Sequence, residues 1–211
     1  MIRVITIDRE YGSGASDIAK KLAARLGWKL WDELLTNEMA RLMECDCRAL
    51  EDREERCDPL RYRLFKAFMR GSFEGTLNAH RVKMMDADCI REAAETAVRR
   101  AAAEGNCVIV GRGSAYYLQA PDTFHIFIYA PVEDKVRRLR SMGKSEDEAW
   151  SLAETVDRDR SAYIKQYFKH DWPARHLYHL MINSTIGDDA VVETILDMSA
   201  RVRMLSGLAT G

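Results

Sequence analysis

The feature that most constrains the fold is an apolar run that leads directly into a glycine-containing turn and then into an amphipathic helix. The run at 4–7 does not alternate with polar residues, which is typical of a buried strand in a parallel sheet. The turn contains Gly12 and Gly14, and the helix after it ends at Gly27. One face of that helix is apolar and consists of Ile18, Ala19, Leu22, Ala23 and Leu26. A strand, turn and helix in this order predict the start of an α/β fold.

The alternation of strands and helices continues along the chain. Further buried strands are predicted at 28–31, 107–110, 124–129 and 177–182, and a long helix is predicted at about 145–168. Strands that alternate with helices imply a parallel sheet covered by helices on both faces. At about 36–86 charged residues and cysteines crowd together, and we interpret this segment as a helical insertion over one edge of the sheet.

Composition excludes several classes of protein. The 211 residues predict one domain, and a formal net charge of −1 argues against the broad basic surface of a nucleic-acid-binding protein. No apolar run approaches the roughly 20 residues that cross a bilayer. The five cysteines include no CxxC pair, and the N-terminus lacks the pattern of an export signal. We therefore expect a cytoplasmic protein with reduced thiols and no nucleic-acid or membrane partner, with its oligomeric state left open.

The glycine-containing turn is also the strongest candidate for a binding site. Backbone N–H groups of such a turn and of the helix after it attract anions, and Gly12 and Gly14 leave room for a phosphate group. In the phosphate-binding pattern G-x-x-x-x-G-K-[ST], Gly14 and Ser16 fit. Arg9 replaces the first glycine of that pattern, and Ala15 replaces its lysine. The alternative interpretation is a tight turn that binds no ligand.

Two arginines outside the turn are further candidates for anion binding. Arg112 follows a predicted strand and has a glycine on either side, at the sheet edge where α/β proteins bind ligands. Arg160 falls within the apolar stripe of the long helix, where a charge is costly unless it is paired or meets an anion. The alternatives are a surface arginine in a turn for Arg112 and an internal ion pair with Asp157 for Arg160.

The ordered set of segments resembles the cytidylate kinase-like family, a group of P-loop proteins related to the bacterial CMP kinases. The segments that carry the resemblance are ITIDREYGSG at 5–14, WDELL at 31–35, CVIVGRG at 107–113, FIYAP at 127–131, VDRDRSAY at 156–163, and 178–183. Their order and spacing extend over nearly the whole chain, and the inserted segment matches least.

The resemblance implies a three-layer α/β P-loop fold of the nucleoside-monophosphate-kinase type, with a five-stranded parallel sheet. It implies one domain over 1–211, with an acceptor-binding insertion at about 36–86 and a lid region at about 140–165. It also implies ATP and Mg²⁺ as cofactors and small-molecule nucleotides as binding partners.

The resemblance further implies roles for individual residues. The phosphates of ATP would be held by Gly12, Ser13, Gly14, Ala15 and Ser16. From the loop itself, rather than from the resemblance, we expect Ser16 to bind Mg²⁺ with help from Asp8. The acceptor would be bound by Asp32, Arg112, Asp157 and Arg160. The predicted catalytic residues are Arg9, Arg112 and Arg160.

Three functions remain open from the sequence. Phosphoryl transfer depends on positive charge around the transferred group, so the absence of a lysine at Ala15 would be costly. The first hypothesis is a kinase that acts on a pyrimidine nucleoside monophosphate, with Arg9 in place of the missing lysine. The second is a non-catalytic nucleotide-binding module with a degenerate loop. The third is a kinase for another small hydroxyl acceptor.

Overall fold

The computed structural model describes residues 2–47 and 87–208. Its strands are β1 (Val4–Arg9), β2 (Lys29–Trp31), β3 (Cys107–Val110), β4 (Thr123–Tyr129) and β5 (Leu180–Asn183). Its helices are α1 (Ala15–Leu26), α2 (Glu33–Cys47), α3 (Ala87–Glu104), α4 (Ser114–Tyr117), α5 (Val132–Ser141), α6 (Glu146–Phe168) and α7 (Asp188–Leu208). The predicted insertion at about 36–86 lies mostly outside the described residues.

The five strands form one parallel sheet in the order β2-β3-β1-β4-β5, which confirms the predicted sheet. The central strand β1 pairs with β3 and with β4, so Ile7 lies beside Val110 and Arg9 beside Ile128. The carboxyl ends of β1 and β3 therefore meet at one edge. There the Gly111 backbone N–H donates to the Ile7 carbonyl over 2.9 Å.

Helices cover both faces of the sheet. On one face, α1 and α7 bury the apolar side chains of β1, β3 and β4. The predicted apolar stripe of α1 is buried, except that Leu26 is only half-buried. On the other face, α2, α3, α4 and α6 bury a second cluster that includes Trp31, Leu35 and Tyr163.

Two predicted strands begin later than expected. The Trp28 backbone N–H donates to the Ala23 carbonyl as part of the end of α1, so β2 begins at Lys29. Leu177 lies in a short 3-10 turn (Arg175–Leu177), and β5 pairs with β4 only from Leu180 onward. In both cases local turn hydrogen bonds take the backbone groups that a strand would need.

Among the described residues, none of the helices is long and apolar enough to span a bilayer.

A buried histidine lies in the middle of the sheet. His125 Nδ1 and Thr6 Oγ1 are hydrogen-bonded over 2.6 Å, and the His125 ring stacks on that of His179 with centroids 5.3 Å apart. Burial, followed by the neighbouring His179, lowers the pKa of His125 to about 4. His125 is therefore neutral in the folded protein near neutral pH.

We expect the free energy of unfolding to fall as the pH is lowered from about 7.5 to about 5.5. As the pH falls, His125 binds a proton in the unfolded chain near pH about 6.5 but in the folded protein only near pH about 4. Stability that is fully present above pH about 6.5 is therefore lost progressively toward pH about 4. The loss over the tested range should be about 1 kcal/mol, measured by urea denaturation. The variant His125→Asn should show a flatter pH profile, and an unchanged slope would assign the effect to other groups.

Candidate functional site

The glycine-containing loop lies between the end of β1 and the start of α1. Gly12 and Gly14 adopt φ angles of 79° and 81°, in the left-handed region that favours glycine. Ser13 between them is buried, and its carbonyl accepts a hydrogen bond from Ser184 Oγ over 2.7 Å. Ala15 and Ser16 form the first turn of α1. The structure thus places the five predicted loop residues together at a helix N-terminus, a site that favours anions.

An ion cluster around a buried lysine lies against this loop, and the sequence did not predict it. Lys135 on α5 is 7% exposed, and its Nζ lies 3.1 Å from Glu10 Oε2 and 3.1 Å from Asp157 Oδ2. Asp157 Oδ1 accepts the Tyr11 backbone N–H over 2.8 Å. The two carboxylates therefore join the loop to α5 and α6.

An arginine from α5 lies over the loop. A Cβ atom at Gly14 would overlap the guanidinium of Arg138, so that group rests directly against the loop backbone. Arg138 Nη2 donates to Asp188 Oδ1 at the start of α7 over 2.9 Å. This cation lies at the N-terminus of α1, where Ala15 provides none.

Three predicted arginines converge at the carboxyl edge of the sheet. Arg9, Arg112 and Arg160 are all buried and line one small cavity. A Cβ atom at Gly111 would overlap the Arg9 guanidinium, and one at Gly113 would lie 2.8 Å from the Phe168 ring. The two glycines beside Arg112 thus make room for Arg9 and Phe168.

Carboxylates offset the charge of the arginine cavity. Burial and then Arg160 lower the pKa of Arg9, whereas Asp32 and Asp8 oppose that shift. Burial and then Arg9 lower the pKa of Arg112 to about 9. In both cases burial of the guanidinium outweighs the nearby carboxylates.

Arg160 connects the cavity to the loop. Its Nη1 donates to the Arg9 carbonyl over 2.8 Å and to Asp157 Oδ1 over 3.0 Å. The predicted ion pair with Asp157 is therefore present, and the same arginine lines the cavity. The guanidinium carbon of Arg160 lies over the Trp172 ring, 5.5 Å from the ring centroid.

The predicted metal ligands lie in different surroundings. The Asp8 carboxylate accepts hydrogen bonds from Tyr178 Oη over 2.8 Å, from Trp172 Nε1 over 3.3 Å and from the Arg9 backbone N–H over 3.0 Å. Ser16 is half-buried in the first turn of α1. Within 2–47 and 87–208 no three His, Cys, Asp or Glu side chains are grouped to hold a metal ion. The Mg²⁺ site stays a prediction.

One sequence signal could have identified Lys135. The apolar stripe of α5 consists of Val132, Val136 and Leu139, and Lys135 lies on the same face, four residues before Leu139. A lysine at such a position is buried beside that stripe and needs a partner, which is the argument that identified Arg160. For Arg138 the sequence offered no comparable signal.

Comparisons with known proteins agree with this architecture. The family model described as cytidylate kinase-like matches residues 4–186. A crystal structure of an uncharacterized protein from Eubacterium ventriosum has a TM-score of 0.66 at 21% identity, covering 95% of this chain and 99% of that one. The crystal structure of TT1252 from Thermus thermophilus has a TM-score of 0.53 at 19% identity, covering 95% and 97% of the two chains. The search of curated proteins found no match.

We expect Gly12→Ala to destabilise the protein more than Gly27→Ala. Both variants place alanine at a positive φ, which costs about 1 kcal/mol. At Gly27 the new Cβ has no atom within 4 Å, whereas at Gly12 it lies 3.1 Å from Lys135 Cβ and 3.2 Å from the Lys135 carbonyl oxygen. Urea denaturation measures both losses, and equal losses would show that the loop tolerates the added methyl group.

Proposed function

The chain belongs to the cytidylate kinase-like family of P-loop proteins, and on that premise we propose that it transfers the γ-phosphoryl group of ATP to a small anionic acceptor, with a pyrimidine nucleoside monophosphate as the preferred class. The observation that carries the proposal is the convergence of Arg9, Arg112 and Arg160 at the sheet edge next to the glycine loop. Three guanidinium groups buried together suit a phosphate dianion.

The donor side of the proposed site is the glycine loop. Its residues fit the phosphates of ATP, since the backbone turns through two left-handed glycines into a helix N-terminus. The buried Ser13 Oγ has no hydrogen-bond partner among the described residues, so a polar group of the ligand could meet it. Arg138 would supply the cation that Ala15 lacks, because its guanidinium lies against Gly14.

Mg²⁺, when bound, would neutralise charge on the transferring phosphates. Ser16 fits as a ligand because its hydroxyl lies in the first turn of α1, next to the proposed phosphate site. Asp8 fits less well, because its carboxylate already accepts three hydrogen bonds.

The acceptor side is the arginine cavity. Arg112 and Arg160 would bind the acceptor anion, and Arg9 would act beside them as the third cation. Arg9 Nη2 is buried without a hydrogen-bond partner among the described residues, and an anion in the cavity would satisfy it. Asp32 and Asp157 would balance the charge of the arginines: Asp32 partly opposes the lowering of the pKa of Arg9 and Arg112 by burial, and Asp157 Oδ1 accepts a hydrogen bond from Arg160 over 3.0 Å.

The proposed mechanism is in-line transfer between the two sides. The loop and Arg138 would hold the donor phosphates, while Arg112 and Arg160 place the acceptor oxygen in line with the γ-phosphorus. In this proposal the lid region at about 140–165 acts through Asp157 and Arg160, which already contact the loop. The insertion at about 36–86 would select the acceptor.

A second candidate function is a nucleotide-binding module without catalysis. Ala15 at the lysine position favours it, because binding tolerates the loss of that cation better than phosphoryl transfer does.

A phosphoryl-transfer assay with ATP, Mg²⁺ and CMP, dCMP or UMP tests the proposal. We expect transfer to a cytidine or uridine nucleotide, and Arg112→Ala should lower kcat/KM about a hundredfold because it removes a buried charge-assisted contact. Arg9→Ala should also lower it. The control is Arg99→Ala, an exposed residue paired with Glu95 on α3.

The other outcomes are distinct. No transfer to any acceptor, with ATP still raising the melting temperature, would favour the binding module. Transfer only to sugars or other hydroxyl compounds would favour the third hypothesis.

For the donor side, we expect Arg138→Ala to raise the KM for ATP about tenfold through the loss of one charged contact. The neighbouring Arg137→Ala is the matched control, since Arg137 is largely exposed and pairs with Asp134. Steady-state kinetics at varied ATP measures the KM of both variants. Equal KM values would show that Arg138 does not contribute to ATP binding.

A further inference from the structure

The buried lysine of α5 has no assigned role in the proposed reaction. Lys135 forms ion pairs with two carboxylates from two other parts of the chain, Glu10 at the start of the loop and Asp157 on α6. Burial disfavours its ammonium, but Asp157 and Glu10 outweigh burial and raise the pKa of Lys135. It is therefore a charged residue held inside the protein directly under the glycine loop.

Each carboxylate that Lys135 contacts also accepts a backbone N–H, Glu10 from Ala130 after β4 and Asp157 from Tyr11 of the loop. Glu10 Oε2 accepts the Ala130 backbone N–H over 3.3 Å, which ties the start of the loop to the end of β4. Asp157 Oδ1 accepts the Tyr11 backbone N–H and the Arg160 guanidinium. Removal of the ammonium would leave two half-buried carboxylates without the cation that they share, and their repulsion would weaken both contacts.

The loop also packs on the backbone of the same residue. A Cβ atom at Gly12 would lie 3.1 Å from Lys135 Cβ and 3.2 Å from its carbonyl oxygen. The position of Lys135 on α5 therefore limits how closely Gly12 can approach α5. It also fixes the positions of the Glu10 and Asp157 carboxylates, which pair with the Lys135 ammonium.

We propose that Lys135 is a positioning residue that holds residues 10–12 of the glycine loop in the phosphate-accepting conformation, through Glu10 and Asp157. The inference rests on the proposed function for its consequence on catalysis, but the effect on the loop is independent of it. Lys135 acts from beneath the loop and through other side chains. A cation at position 15 would contact the phosphates directly, whereas Lys135 would favour their binding by holding the loop in place.

The test separates positioning from simple charge neutralisation. Lys135→Met alone leaves an unbalanced carboxylate, so the informative variant is Lys135→Met/Glu10→Gln, which removes one charge of each sign. Lys135→Arg is the conservative variant. Lys29→Met is the control, because Lys29 also joins two elements through an ion pair, with Glu104, but at the opposite end of the sheet.

The measurements are amide hydrogen exchange of residues 10–14, the Kd for ATP by calorimetry, and kcat and KM. We expect the double variant to unfold cooperatively, to exchange the loop amides at least about tenfold faster and to bind ATP at least about tenfold more weakly. Lys135→Arg should keep most of the loop protection and most of the ATP affinity, and Lys29→Met should match the wild type in both. If the double variant does not fold, Lys135→Gln/Glu10→Gln, whose two amides can keep one hydrogen bond, takes its place.

A folded variant with wild-type loop exchange and wild-type ATP affinity would overturn the proposal. Failure of the proposed function would appear in the transfer assay and not in loop exchange. If the wild type binds ATP without transferring phosphate, affinity and exchange still decide the role of Lys135. If it binds no ATP, loop exchange alone decides it.

Discussion

The carboxylate of Asp157 is the contact on which both sides of the site depend. One oxygen accepts the loop N–H of Tyr11 and the guanidinium of Arg160, and the other accepts the ammonium of Lys135. Removing one of these donors would leave part of this half-buried carboxylate without a partner, which costs about 1–3 kcal/mol. The loop, α5 and the arginine cavity therefore share one electrostatic unit.

Within that unit, the arginine cavity carries the excess of positive charge. Buried cations are tolerated in proteins when carboxylates or ligands offset them, and Asp8, Asp32 and Asp157 do so around the cavity. The lowered pKa values of Arg9 and Arg112 indicate that the offset is incomplete. An anion would complete it, which is the physical basis for the phosphate-bearing acceptor that we propose.

Most of the fold could be predicted because its strands and helices have strong local patterns. The strand at 107–110 was predicted with its observed bounds, and the helix at 146–168 begins one residue after the predicted position. The site was predicted less completely. Arg112 and Arg160 were identified by glycines on either side and by an apolar stripe, and the structure places both in one cavity. Lys135 and Arg138 were missed, since their importance depends on which loop α5 packs against.

By itself, the sequence determined the α/β alternation, the glycine loop and the family, because apolar periodicity and glycine placement are properties of adjacent residues. Only the tertiary structure decided which cation lies beside the loop and which lies in the arginine cavity. Arg9 is the last residue of the strand that leads into the loop, yet its guanidinium lies beside Gly111, while Arg138, more than a hundred residues away, lies against Gly14. The physical reason is that a side chain's partners are set by the parallel strand order and by helix packing, which bring together residues that are distant in the sequence.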